Sequence, residues 1–112
     1  MIELTKKDKK IARAIIEMGL QKDYAIAITK ADAIINDWKN KKLDNREAYL
    51  ALYARIHKSD KLIARRYNNM SGSKYIYIIA GQLIDGIIEE DDLNEFSDDA
   101  IQTIKMLVNF NK

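Results

Sequence analysis

Apolar residues recur along most of the chain at three- and four-residue spacing, which predicts helices almost throughout. Ile11, Ala12, Ile15 and Ile16 form the first stripe, with Thr5 as the N-cap and Asp8 as the acid of a short capping box. Gly19 followed by Leu20 suits a left-handed residue just past a helix end, so the first helix is expected to stop near Met18. An uninterrupted helix is the alternative, because Ile16, Leu20, Tyr24, Ala27 and Ala31 stay in phase across Gly19. Tyr24, Ala27, Ile28, Ala31, Ile34, Ile35 and Trp38 then make one face through to about Lys39, predicting a buried Trp38.

The clearest start signal is Asp44, Asn45, Arg46, Glu47, an N-cap with its reciprocal acid three residues on. That helix is expected to run to about Asn69. Tyr49, Leu52, Tyr53, Ile56, Ile63 and Tyr67 fall within one arc and read as core-facing. Arg55, Lys58, Lys61, Arg65 and Arg66 fall on the far side, so the arginine pair is expected to point away from the core. Asp60 projects within the apolar arc and reads as a partly buried carboxylate bonded to a tyrosine hydroxyl or a base. The segment Lys74–Ala80 has the β-branched and aromatic content of a strand, but Ile76, Ile79, Ala80, Leu83 and Ile87 keep helical spacing. A buried helix from about Ser73 to Asp85 follows, closed by Gly86 and Ile87. A short turn over 89–95 and a last helix from Asp98 to about Val108, capped by Ser97, complete the pattern. The expected fold is all-α, one helical domain over 1–112 with about five helices in a bundle.

Composition narrows the function classes. A chain of 112 residues without proline removes the strongest helix breaker, and the absence of cysteine excludes disulfides and thiolate metal sites and favours a soluble cytoplasmic protein. No apolar run is long enough to span a bilayer, so no membrane role is expected. The net charge of +2 is unevenly spread: residues 1–75 carry 17 basic and 9 acidic side chains, and residues 76–112 carry 2 and 8. Such asymmetry fits either an anionic partner for one half or attraction between the halves within the fold, and the second reading is favoured.

Candidate chemistry is sparse. Asp85, Gly86, Ile88 and Asp92 match part of a calcium loop, but Gly81 and Leu83 would stand where its first carboxylates belong. Glu89, Glu90, Asp91, Asp98 and Asp99 suit first helical turns, where the helix dipole favours acids. A helix-turn-helix over Tyr77–Phe96 would present Glu89, Glu90, Asp91 and Asp92 to DNA phosphates, which excludes it. His57 is the only histidine, and no nucleophile motif is present, so neither a metal, a cofactor nor an enzymatic activity is expected.

One constellation remains. Arg65 and Arg66 end one helix, and Ser71, Ser73 and Lys74 begin the next, an arrangement suited to anions although "MSGSK" is not a phosphate loop. Arg55, Lys58, Arg65, Arg66, Ser73 and Lys74 are therefore the candidate anion or nucleic-acid contacts, while a plain joint between helices is the favoured reading. Apolar residues outside the main stripes (Ile26, Leu50, Leu62, Tyr77, Ile78) point instead to a protein-interaction module or a helical oligomer. That is the preferred function, with nucleic-acid or phosphate binding through the basic face, aided by Lys6, Lys7, Lys9, Lys10 and Arg13, as the alternative.

Overall fold

A computed structural model describes residues 4–68 and 71–110. Among the described residues, four α-helices form an all-α fold: α1 (Lys6–Lys39), α2 (Asn45–Tyr67), α3 (Tyr75–Ile84) and α4 (Asp98–Phe110). Two 3₁₀ turns, Gly72–Lys74 and Glu90–Leu93, stand before α3 and α4. The expected fifth helix is absent because α1 runs through Gly19 without a break.

The reason lies across the core. A β-carbon on Gly19 would sit 2.1 Å from Gln82 Nε2, so the glycine makes room in α1 for a buried amide of α3. Gln82 is fully buried and donates from Nε2 to the Ile16 carbonyl (3.2 Å) and the Tyr67 hydroxyl (3.0 Å). Three helices are thus pinned at one level.

The other boundaries follow local rules. Thr5 Oγ1 accepts from the Asp8 N–H at 3.0 Å, and Asp44 and Glu47 exchange both bonds of a capping box (2.8 and 3.0 Å). The end of α3 is a Schellman motif: Ile87 N–H reaches the Gln82 carbonyl at 2.8 Å, Gly86 N–H the Leu83 carbonyl at 3.1 Å, and Gly86 has φ 72°. Ile87 is buried against the core at this point. The Ser97 hydroxyl accepts from the Ala100 N–H at 3.3 Å and starts α4.

The core gathers Ala12, Ile15 and Ile16 of α1, Ile76, Ile79 and Ala80 of α3, and Ala100, Ile104 and Val108 of α4, closed by Ile88, Leu93 and Phe96. Asp8 ties its lower end: the buried carboxylate accepts from the Ser97 N–H (3.0 Å) and hydroxyl (2.7 Å). Burial pushes this carboxyl up, but the Ser97 and Thr5 donors outweigh it and hold its pKa below the ordinary 3.8.

Burial along α1 stops at Asp23. Beyond it, α1 and α2 continue as a two-helix arm closed by residues 40–44, and no described element covers it. The Cα radius of gyration of 17.4 Å exceeds the roughly 13 Å of a compact chain this long, and the extents of 54 × 25 × 25 Å show where the excess lies. Trp38, expected to be buried, is near the arm's tip, where it is half open to solvent and donates from Nε1 to Asn45 Oδ1 at 2.8 Å. Helical phase places it on the α2-facing stripe, but the described residues leave it 44% exposed there.

Gly19 and Gln82 are energetically coupled in a way that reverses a usual sign. Glycine to alanine inside a helix ordinarily stabilises by about 1 kcal/mol. Here Gly19→Ala is expected to lower unfolding stability by about 1–3 kcal/mol, because the Gln82 amide loses its partners. In a Gln82→Ala background the same change should be neutral or stabilising, measured by urea unfolding of all four forms.

Candidate functional site

Two surfaces and one buried cluster hold five of the six candidate anion contacts and exposed apolar side chains of the arm. The cluster lies where the arm leaves the base. Asp23 of α1 is buried, and its Oδ2 accepts from the Tyr67 hydroxyl at 2.5 Å. Arg66 Nε lies 3.1 Å from the same oxygen, close enough for charge pairing though off the hydrogen-bonding axis. Arg66 Nη1 donates to Asp85 Oδ2 (2.7 Å) and to the Gly81 carbonyl (3.2 Å), where α3 ends. Burial and the bond to Asp23 push the Tyr67 phenol well above its ordinary value, so it stays a neutral donor.

This arrangement corrects two expectations. Arg66 does not point away from the core: its side chain is 9% exposed and is spent on two carboxylates. Its Cα lies at the edge of the α2 stripe, but the long side chain carries the guanidinium back towards α1 and α3. Asp60, expected to be partly buried and bonded to a tyrosine hydroxyl or a base, is exposed. The tyrosine–carboxylate bond belongs to Tyr67 and Asp23, a pair that α2 periodicity alone does not reveal.

The first surface is a cationic groove. A cavity of about 390 Å³ between α2 and α3 is lined by Leu62, Arg65, Arg66, Lys74, Tyr77 and Asp85, among others. A smaller one, about 60 Å³, is lined by Asp23, Ile26, Lys30, Arg55, Lys58 and Leu62. The two meet at Leu62, so five of the six candidate anion contacts share one side of the molecule. Lys74 Nζ stands 5.7 Å over the Tyr77 ring. Ser73 is not among the lining residues; its hydroxyl is bonded to that of Ser71 at 3.0 Å, and neither caps α3. Lys30 extends the strip and was missed, since it belongs to a different helix. With Arg66 committed to Asp23 and Asp85, the cations that face solvent are Lys30, Lys58, Arg65 and Lys74, beside the half-buried Arg55. Elsewhere, Lys7 and Lys10 of the basic half line one groove with Asp92 and Glu95 of the acidic half, without an ion pair among the described residues.

The second surface is apolar and lies opposite. At 100° per residue, Tyr24 and Ile28 of α1 and Tyr49, Tyr53 and Ile56 of α2 fall across their helices from the residues lining the smaller cavity. They therefore share the other flank of the arm. All five are 46–70% exposed, and the Tyr53 and His57 rings stack at 6.1 Å between centroids. The spacing on α2 had marked Tyr49, Tyr53 and Ile56 as core; they do share one face, but no described element covers it.

No known protein family, curated protein or solved structure matches this chain. Among the described residues, no group of three side chains suited to hold a metal is found, and no helix is long and apolar enough to cross a membrane.

The adjacent arginines are expected to behave differently on replacement. Arg66→Ala leaves the Asp23 carboxylate buried without its cation and should cost about 3–5 kcal/mol. Arg65→Ala should change stability by no more than about 0.5 kcal/mol, as for an exposed side chain without such partners. Thermal or chemical denaturation of the two variants checks the contrast.

Proposed function

We propose that this protein is a protein-interaction module whose α1–α2 arm docks a helical partner along the flank of Tyr24, Ile28, Tyr49, Tyr53 and Ile56. The observation that carries the reading is the exposure of those five side chains on a two-helix arm over which no described element forms a third layer. Isolated exposed leucines or isoleucines need no explanation, whereas a contiguous apolar flank of several hundred Å² marks a contact surface. Its chemistry suits another amphipathic helix: aromatic rings and β-branched side chains interdigitate with a helical stripe and need no fixed polar partner. The absence of cysteine fits a cytoplasmic setting for such a module.

The groove on the opposite side supports a second reading, binding of nucleic acid or another phosphate-bearing polymer. Lys30, Arg55, Lys58, Arg65 and Lys74 converge there beside Tyr77, the pairing of cations with an aromatic that single strands use.

One comparison separates the two. A photo-crosslinking residue at position 53 or 28, introduced in the native host, is expected to give discrete protein adducts, and one at position 105 on α4 is expected to give none. The same purified protein should bind a random-sequence oligonucleotide negligibly near physiological salt. Absence of flank adducts together with micromolar binding that falls steeply with salt, and is lost in Arg65→Ala/Lys74→Ala, would replace the first reading by the second.

A further inference from the structure

We infer that the partner of the arm's apolar flank is a second copy of this chain, packed antiparallel about a two-fold axis at Tyr53, which deepens the docking reading above and rests on it. A two-fold interface requires that if one residue meets another across it, the reverse contact is also made. The exposed strip of α2 has that property. Arg46 and Asp60 each lie seven residues from Tyr53, and Tyr49 and His57 each lie four residues from it. At 1.5 Å per residue, the charged pair stands roughly 10 Å either side of the axis. Antiparallel packing sets Arg46 of each copy against Asp60 of the other, Tyr49 against His57, and the two Tyr53 rings together.

Neither Arg46 nor Asp60 has an ion-pair or hydrogen-bond partner among the described residues of its own chain. The fold does not use these charges, and opposite signs at the two ends of the strip suit an antiparallel copy while opposing a parallel one. The hairpin's register extends the match to α1. With Trp38 bonded to Asn45 at the tip and Asp23 to Tyr67 at the base, the level of Tyr53 falls between Ile28 and Ile35, so these isoleucines face each other across the same axis. Two hairpins joined in this way make a four-helix layer, the missing half of the arm's core. With aromatic side chains burying roughly 150–250 Å² each, the five flank residues supply on the order of 600 Å² of the about 800 Å² that each partner contributes to a standard interface.

Sedimentation equilibrium of the purified full chain tests this, with circular dichroism as a check on folding. The wild type should reach twice its 12.9 kDa mass as concentration rises into the micromolar range. Tyr53→Glu should shift it to monomer, since two carboxylates would meet at the axis. Asp60→Arg should weaken dimerisation roughly 5- to 10-fold, and Arg46→Asp/Asp60→Arg should restore it, because reciprocal charges are exchanged together. The chain has no cysteine, so Tyr53→Cys alone should oxidise to a covalent dimer and Leu50→Cys should not. A monomer at every concentration, or a dimer indifferent to Tyr53→Glu and to the charge swap, overturns the inference. If the purified chain is monomeric but position 53 crosslinks to another protein in the host, the docking reading stands and the second copy is ruled out; a monomer without flank adducts removes both.

Discussion

The buried network in which Arg66 and Tyr67 meet Asp23 and Gln82 meets Tyr67 is the constraint on which the rest of the structure depends. It joins α1, α2 and α3 at one level, and Gly19 is the opening that lets α3 approach. A carboxylate and a guanidinium removed from water are stabilising only when their remaining bonding capacity is met. Here most of that capacity is met: Tyr67 donates to Asp23, Arg66 also reaches Asp85 and the Gly81 carbonyl, and the Gln82 amide fixes the tyrosine oxygen, while Arg66 Nε and Gln82 Oε1 make no hydrogen bond among the described residues. A network of this kind contributes little as raw energy and much as geometry, because few other packings of the three helices would satisfy it. It sets where α3 stops covering the hairpin.

Everything distinctive about the surface follows from that stopping point. Below Asp23, aliphatic side chains from α1, α3 and α4 fill one core, with Asp8 and Ser97 clasping its lower end. Above it, α1 and α2 continue for several turns with only each other to pack against. Ala27, Ala31, Ala48 and Ala51 are among the arm's less exposed positions, and small side chains there leave the larger ones outside the seam. A hairpin built in this way leaves much of its apolar surface open, and the association proposed above would supply the missing layer. The cationic groove lies on the side where α3 docks, so the two surfaces do not compete for space.

Local signals in the sequence were faithful. The Asp44–Glu47 capping box, the Gly86–Ile87 ending of α3 and the Ser97 start of α4 each fall where the pattern put them, because each is settled by residues within one turn. What could not be read was set by distant neighbours. Gly19 followed by Leu20 looks the same as Gly86 followed by Ile87, and only the amide of Gln82, far along the chain, distinguishes a helix end from a notch. Periodicity placed Tyr49, Tyr53, Ile56 and Trp38 on coherent stripes, yet it reports which way a residue points and not whether anything lies there. Arg66 was misread because phase locates its Cα, whereas its guanidinium travels several bonds to Asp23. Arg55, Lys58, Arg65 and Lys74 did converge, but Lys30 joins them through the hairpin's register, which no single helix encodes.

Amide hydrogen exchange followed over a dilution series tests the proposed self-association of the arm most directly. The account predicts that amides of α3 and of Ala12–Asp23 stay strongly protected at every concentration, while those of Tyr24–Ile35 and Tyr49–Asp60 gain protection as concentration rises through the association range. Arm amides as protected as the base at the lowest concentration, and unchanged on concentrating, would contradict it.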